Sequence, residues 1–534
     1  MLEKPYQAWL LAALLGAISV AGFAPLNLWP VPLMCIAALA GLWQAASSAG
    51  RSAALGFAFG LGQGVVGVSW IYVSLHDYGK MPFWLAAPAT LALAAYMALY
   101  GGLAGWLIGR LRSSNLSGAW AQALLMASAW ALAEWLRGTV GTGFPWLSLG
   151  YSQIDGPLAG FGPLVGVYGM SWLAVFSSAL LGAGLQRMHA HRLWLGTAAF
   201  GVFAVGLSLG AIHWTQPDGA PIRIALVQPN VAQDLKFIPG KFETMMADLQ
   251  RAIKTEAAQK TAIVLLPETA IPRLVDGARL RSRTAFAPKS DSYNESAHAI
   301  ATQFDTFARN AGIALVTGIP IIEEGADAAS DRYANSAIAL GKDAPEPIAR
   351  YDKHHLVPFG EMIPWGFGWF VKMMQMPLGD FTRGGQRQAP FNIGGARIAV
   401  NICYEDVFGE EIAYALGNDA NNATMLLNLS NIAWFGHSLA PHQHLQISRL
   451  RALETGRPML RATNTGATAV IDEKGRVAEV LPFFTQGTLR AQVQGMRGTT
   501  PYVWVGGNAV VLVVSVAVLG VFWRRRARLA SSYE

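Results

Sequence analysis

For its first two hundred residues the chain's apolar positions neither alternate nor follow a helical stripe. They run on in near-continuous blocks: 8–25, 31–48, 53–75, 83–110, 119–137, 163–186 and 193–213, with an eighth at 502–523. About 20 apolar residues cross the hydrocarbon layer as a helix, so each block predicts a membrane span. Between 221 and 498 the pattern changes to short apolar runs separated by amphipathic stretches. The runs "IRIALVQPN" (222–230), "AIVLLPET" (262–269), "GIALVTGIP" (312–320), "ANSAIAL" (334–340), "RIAVNICYE" (397–405) and "ATMLLNLSN" (423–431) predict buried strands. Residues 459–477 predict two strands and a hairpin turning at Lys474-Gly475. Residues 240–259, 295–311 and 440–455 predict helices. Strands alternating with helices make a layered α/β domain. The expected architecture is an eight-span α-helical membrane bundle joined to an α/β domain. Its segments are 1–215 (seven spans), 216–498 (the α/β domain) and 499–534 (the last span and a basic tail).

Composition sharpens this division. Only 14% of the residues are charged and 53% are hydrophobic, against about 25% charged in a typical soluble domain. The deficit falls in the apolar blocks. Lys4 ahead of the first block imitates a signal peptide, but no small-residue cleavage site closes it and a second span follows, so it is read as retained. Lys4, Arg51, Arg110 with Arg112, Arg187 with Arg192, and the tail Arg524, Arg525, Arg526 and Arg528 fall on alternate loops. Positive residues mark the cytoplasmic side. Both termini are then cytoplasmic, and the α/β domain lies on the outer face, in a bacterium the periplasm. The net charge of +7 reflects this bias. No basic-aromatic patch interrupts the α/β region, so nucleic acid is not an expected partner. Gly60, Gly62 and Gly64 lie inside an apolar block, where close helix packing explains them better than a nucleotide loop.

Cys35 lies in the second span and Cys403 in the α/β domain, so the two are not expected to pair. Three predicted strand ends carry reactive groups: Glu268 after "IVLLP", Lys353 in "YDKHHLVPFGE" and Cys403 in "VNICYED". Ligands of layered α/β sheets bind beyond the carboxyl ends of the strands. A thiol nucleophile needs a base, and acyl transfer needs donors for the oxyanion. Glu, Lys and Cys meet those needs. From spacing alone, a buried cysteine, a surface lysine and a helix-capping glutamate remain equally open.

The segments "LLPET", "YDKHHLVPFGE", "NICYED" and "RATNTGATAVID" resemble the nitrilase superfamily, and in this order among eight spans the whole chain resembles the apolipoprotein N-acyltransferase family of the bacterial inner membrane. The resemblance implies an αββα sandwich and a catalytic triad of Glu268, Lys353 and Cys403. It implies supporting roles for Glu361, Tyr404, Glu405 and Asn335. Family members often carry Trp where this chain has Phe237, which keeps an aromatic surface and lacks the indole N–H. The implied reaction moves an acyl chain from the sn-1 position of a phospholipid, with phosphatidylethanolamine expected, through a Cys403 thioester. The acceptor is the α-amine of a diacylated apolipoprotein's N-terminal cysteine. No cofactor or metal is called for, and a monomer is expected.

Both substrates are lipid-anchored, so the site must open toward the bilayer. "MIPWGFGWFVKMMQMPL" (362–378) is dense in aromatics and Met and too short to span. It is read as a membrane-facing lid presenting Trp365, Phe367 and Trp369, with a buried segment as the alternative. "GTGFPWLSLGY" (141–151), with Phe144 and Trp146, is a second candidate for lining the entry. His437, His442 and His444 lack a third ligand and a carboxylate cluster, so they are not read as a metal site. Glu134 and Arg137, polar groups in the fifth span, either pair or touch headgroups. A membrane-tethered amidohydrolase is the competing enzyme reading, although a small amide needs neither spans nor lid. A transporter would require more charge within the spans.

Overall fold

The computed structural model describes residues 4–112, 118–186, 190–236, 238, 240–290, 295–325, 330–366, 368, 381–417 and 423–531. Arg187, Phe237, Phe367, Trp369 and most of the 362–378 stretch lie outside them. By packing, the chain forms two units. One comprises Met1–His213, His437–Leu450 and Trp504–Glu534, and the other Trp214–Gly436 and Arg451–Val503.

The first unit is helical. Its elements are α1 (Pro5–Ser19), α2 (Pro30–Ala45), α3 (Ala49–Gly67), α4 (Phe83–Leu111), α5 (Ala119–Thr139), α6 (Gly162–Gln186) and α7 (Ala190–Gly210), followed near the C-terminus by Ala509–Ser531. Among the described residues, four stretches are long and apolar enough to cross a membrane: Pro5–Gly22, Phe83–Leu111, Pro157–Gly184 and Leu193–Gly210. A fifth joins α3 to Trp70–Tyr78 across a 47° bend. The other three predicted spans are weaker for visible reasons. Helix α2 has 16 residues, α5 carries Glu134 and Arg137, and the last helix runs into its arginines. Side-chain-free surfaces pull α3 against its neighbours, as the Gly60/62/64 spacing predicts. A Cβ at Gly62 would run into the Ala13 carbonyl of α1, and one at Gly60 would lie 2.9 Å from Ala98 Cα of α4.

Glu134 and Arg137 are buried and tie down the loop after α5. Glu134 Oε1 accepts from Trp130 Nε1 (2.8 Å) and the Leu149 amide (2.9 Å). Arg137 Nη2 donates to Ser148 Oγ at 3.1 Å. That loop carries Trp146, whose indole donates to Gln443 Oε1 at 2.7 Å.

Among the described residues the second unit holds two large sheets and a two-stranded ribbon that pairs Gln216–Pro217 with Met496–Arg497. In chain order the strands are β1 (Ile222–Gln228), β2 (Ile263–Leu265), β3 (Ala314–Glu323), β4 (Arg332–Gly341), β5 (Arg350–Asp352), β6 (Phe391–Ile393), β7 (Ala396–Ile402), β8 (Met425–Ser430), β9 (Met459–Thr463), β10 (Ala469–Ile471), β11 (Val477–Val480) and β12 (Gly487–Val493). The first sheet runs β12-β1-β2-β3-β4-β5, with Val275–Asp276 pairing on β3. The second runs β11-β10-β9-β8-β7-β6. Pairings β1–β2, β2–β3, β7–β8 and β8–β9 are parallel, which buries both faces of these strands and explains their continuous apolar runs. Ile224, Leu226, Ile263 and Leu265 meet Ile398, Ile402, Leu427 and Leu429 between the sheets. The alternate residues Ala225, Val227, Val264 and Leu266 meet the apolar stripes of helices α8 (Phe242–Ala258) and α9 (Ser296–Ala311). Each such aliphatic side chain contributes about 1.5–3 kcal/mol on burial. Strand β12 is absent from the sequence pattern because, as an edge strand on β1, it buries only part of one face. The stretch 459–477 forms β9 and β10, and the hairpin closes onto β11 across 472–476.

Candidate active site

The parallel strands place their carboxyl ends together, and the loops leaving β2, β5, β7 and β8 supply the polar groups. After β2 the backbone turns at once. Thr269 has φ 49°, and on the neighbouring β3 a Cβ at Gly318 would lie 2.6 Å from Glu268 Cα. Glycine at 318 makes room for this turn, which presents the Glu268 carboxylate, 7% exposed. Glu268 Oε2 accepts from the Asn431 amide just past β8 (2.7 Å), and Oε1 accepts from Asn335 Nδ2 on β4 (2.7 Å). Lys353, 1% exposed, follows β5. Its Nζ lies 2.9 Å from the Glu361 carboxylate and 3.5 Å from Glu268 Oε1. Asn335 Nδ2 also donates to Glu361 Oε1 at 2.7 Å. One ammonium and one carboxamide therefore bridge two carboxylates.

Cys403 ends β7 and opens a tight turn, Cys403–Val407. Its φ is +54°, a left-handed conformation that costs a non-glycine residue about 1–2 kcal/mol. This explains why the predicted strand 397–405 stops at Ile402. The turn is held from several sides. Asn428 Nδ2 donates to the Cys403 carbonyl (3.1 Å) and to Asn401 Oδ1 (2.6 Å). Ser430 Oγ donates to Asn428 Oδ1 at 2.8 Å. The buried Asp406 pairs with the buried Arg461 at 3.0 Å.

Glu405 is the hub between the cysteine turn and the lysine loop. Its Oε1 accepts from the amides of His354 (2.6 Å) and His355 (3.1 Å), its Oε2 from the Ile402 amide (2.5 Å), and both from Tyr351 Oη (3.0 and 2.9 Å). Tyr404 packs edge-on against His355 and Phe408.

The electrostatics follow from this geometry. Burial first, and then the Glu268 carboxylate, push the Cys403 thiol up to about 12, while Lys353 and a Ser430 hydrogen bond act in the opposite sense. The sulfur in this geometry is therefore a neutral thiol. Burial alone would lower the Lys353 pKa. The Glu361 and Glu268 carboxylates outweigh burial and hold it above its ordinary value, so the ammonium is permanent. Burial also pushes the Glu405 carboxyl up to about 7.

Glu268, Lys353, Glu361 and Asn335 are thus joined by hydrogen bonds, and Cys403 feels the charges of the first three. Glu405 and Tyr404 adjoin them in the cysteine turn. Trp365 is 98% exposed. Phe144 and Trp146 belong to the helical unit, where their rings stack at 6.1 Å and Trp146 is buried. Sequence reasoning missed four contributors. Asn428 and Ser430 are polar positions within an apolar strand, which is a usable signal. Asn431 acts through its backbone amide and leaves none. Lys236 is buried, and its Nζ reaches the Glu268 carbonyl at 3.4 Å. Desolvation draws that ammonium down to about 8.

Residues 15–180 match the family model described as Apolipoprotein N-acyltransferase N-terminal domain, and residues 223–502 match Carbon-nitrogen hydrolase. The chain is 48% identical over 525 residues to the apolipoprotein N-acyltransferase of Ralstonia nicotianae, covering 98% of this chain and 94% of that one. It is 43% identical to that of Nitrosomonas europaea, covering 95% of each. Among solved structures, the C. elegans NitFhit protein aligns at 18% identity with a TM-score of 0.37, covering 52% of this chain and 61% of that one.

Proposed function

The chain belongs to the apolipoprotein N-acyltransferase family, and from that membership we propose how its residues carry out lipoprotein N-acylation. The observation that carries the reading is Lys353 held between Glu268 and Glu361, with both carboxylates acting on a thiol at a left-handed strand end. Glu268 takes the Cys403 proton as the sulfur attacks the sn-1 ester of a phospholipid, phosphatidylethanolamine being the expected donor. Lys353 Nζ and the Tyr404 amide hold the oxyanion. The C–O bond breaks, the lysophospholipid leaves with the proton returned by Glu268, and a thioester remains. The neutral α-amine of a diacylglyceryl-cysteine then attacks the thioester carbonyl. Glu268 moves its proton to the departing sulfur, and the amide and the free thiol result. Ping-pong kinetics follow. Glu361 and Asn335 position Lys353 and Glu268, and Glu405 ties the cysteine turn to the lysine loop.

In this reading the seven N-terminal helices and the last one make eight crossings of the bacterial inner membrane. The short α2, the charge-bearing α5 and the arginine-tailed last helix are included because alternate loops carry the basic residues. Both termini are cytoplasmic, 216–498 forms a periplasmic catalytic domain, and the protein acts as a monomer. The exposed Trp365 is assigned to the lipid-facing side of the substrate's route, whereas Trp146, expected there from the sequence, is buried and anchors its loop to Gln443 instead. The test is purification with phospholipid followed by mass spectrometry of the Cys403 peptide. The expected result is a thioester-linked fatty acyl group, absent from Cys403→Ser. An unmodified Cys403 alongside full N-acylation would overturn the mechanism.

A further inference from the structure

The helical unit contains an open cavity of 400 Å³ that the acyl exchange above does not use. It is lined by His437, His442, Ser438, Ser69 and Trp70, with Pro25 on its apolar rim. Two features bear on what it holds. Its polar lining includes two imidazoles and two hydroxyls with no carboxylate, groups that can donate to anionic oxygens without a like charge to repel them. Its place is equally specific. Pro25 follows the end of the first span and Ser69 and Trp70 the end of α3, opposite the ends marked by Lys4 and Arg51. In the orientation proposed above, this is the headgroup level of the outer leaflet.

The surroundings are built rather than loose. Trp70 Nε1 donates to the Gly67 carbonyl and to Gln443 Oε1, both at 3.1 Å, and Trp146 Nε1 donates to the same Gln443 oxygen. Gln443 is 2% exposed and follows His442 directly, yet among the described residues its amide Nε2 has no hydrogen-bond partner. A buried donor without a partner is costly to keep, and this one belongs to the side chain that holds the cavity-lining Trp70.

We propose that this cavity binds the phosphodiester of a phospholipid headgroup through His437, His442 and the neighbouring hydroxyls, and so selects phosphate-bearing lipids as acyl donors. The inference rests on the reading of the chain as a phospholipid-using acyltransferase. Burial holds His442 below the ordinary imidazole range, so at neutral pH it contributes an N–H dipole and not a charge. The site then discriminates by hydrogen bonding, and lipid already held at the membrane surface supplies the rest of the affinity.

The test uses the full-length protein in mixed micelles and follows Cys403 thioester formation. One donor is phosphatidylethanolamine and the other is diacylglycerol with the same acyl chains. For the double variant His437→Ala/His442→Ala, KM for the phospholipid should rise roughly 10- to 100-fold, as expected for lost hydrogen bonds to a charged acceptor. Its kcat should hold, and turnover of diacylglycerol should be unchanged, which also certifies the fold. His437→Gln/His442→Gln should recover part of the KM. Inorganic phosphate at millimolar concentration should not compete, which separates a lipid headgroup from free phosphate; competition by phosphate would overturn the lipid assignment. An unchanged phospholipid KM, or equal losses with both donors, would overturn the headgroup site. If the unaltered protein forms no thioester from either donor, it is the acyl-enzyme reading that fails.

Discussion

The two cysteines of this chain sit in two different surroundings. Cys35 lies on α2, 3% exposed, in a cluster of Leu33, Ile36, Leu39 and Trp43. Nothing in that cluster could take its proton. Cys403 is half-buried, and it ends a strand with φ +54° and feels two carboxylates and an ammonium. Exposure alone does not make a thiol reactive. What separates them is whether the backbone delivers the sulfur to charged partners. The units repeat the contrast with their buried charges. Glu134 and Arg137 are as buried as Glu268 and Lys353, yet their hydrogen bonds run to Trp130, Leu149 and Ser148 and stabilise a loop. In the second unit the corresponding bonds converge from four strand ends on one point.

This contrast can be broken experimentally. The largest effect is expected from Cys403→Ala, which should slow N-acylation of a diacylated peptide on the order of 10⁴-fold or more. Cys35→Ala should leave the rate within about twofold and lower thermal stability by roughly 1 kcal/mol; comparable activity losses in both would erase the distinction. Glu268→Gln, which keeps the shape but not the base, should slow acyl-enzyme formation by about 10²–10⁴-fold in a single-turnover assay.

Glu405→Gln tests the positioning role through its pH dependence. The folded carboxyl sits at about 7 because burial disfavours its charge. Between the unfolded value near 4.3 and about 7, the folded state keeps a proton that the unfolded state has released. Stability therefore falls as pH rises through that window, by an order of ~3 kcal/mol in total. Denaturant unfolding of the variant should lose this slope, and an unchanged slope would assign it to another group. The smallest effect is expected from Ser148→Ala in the helical unit. It should cost about 1 kcal/mol of stability and leave the acylation rate intact, and a large rate loss would show that this loop does more than hold itself in place.

Much of this was legible in one dimension. Continuous apolar blocks mark the helical unit, and strand-length runs mark the sheets, because burial on both faces requires apolar side chains at every position. Glu268, Lys353 and Cys403 could be named because each closes such a run, and their motifs resemble a known family. The glycine spacing at 60, 62 and 64 told of close helix contacts. The edge strand β12 was missed because one-sided burial leaves a mixed pattern, and α2 and α5 read as spans more clearly than their length and charge justify. Tertiary structure alone decided which donors complete the site. The Asn431 amide has no side-chain signature, and the bridge by Asn335 exists only because β4 lies beside the lysine loop. Only the fold could also show that Gly318 exists to make room for the Glu268 turn. A sequence records which groups a chain carries and how often they face inward. Which hydrogen bond each buried group finds depends on strands far apart in the chain meeting in register, and that is settled only when the sheets form.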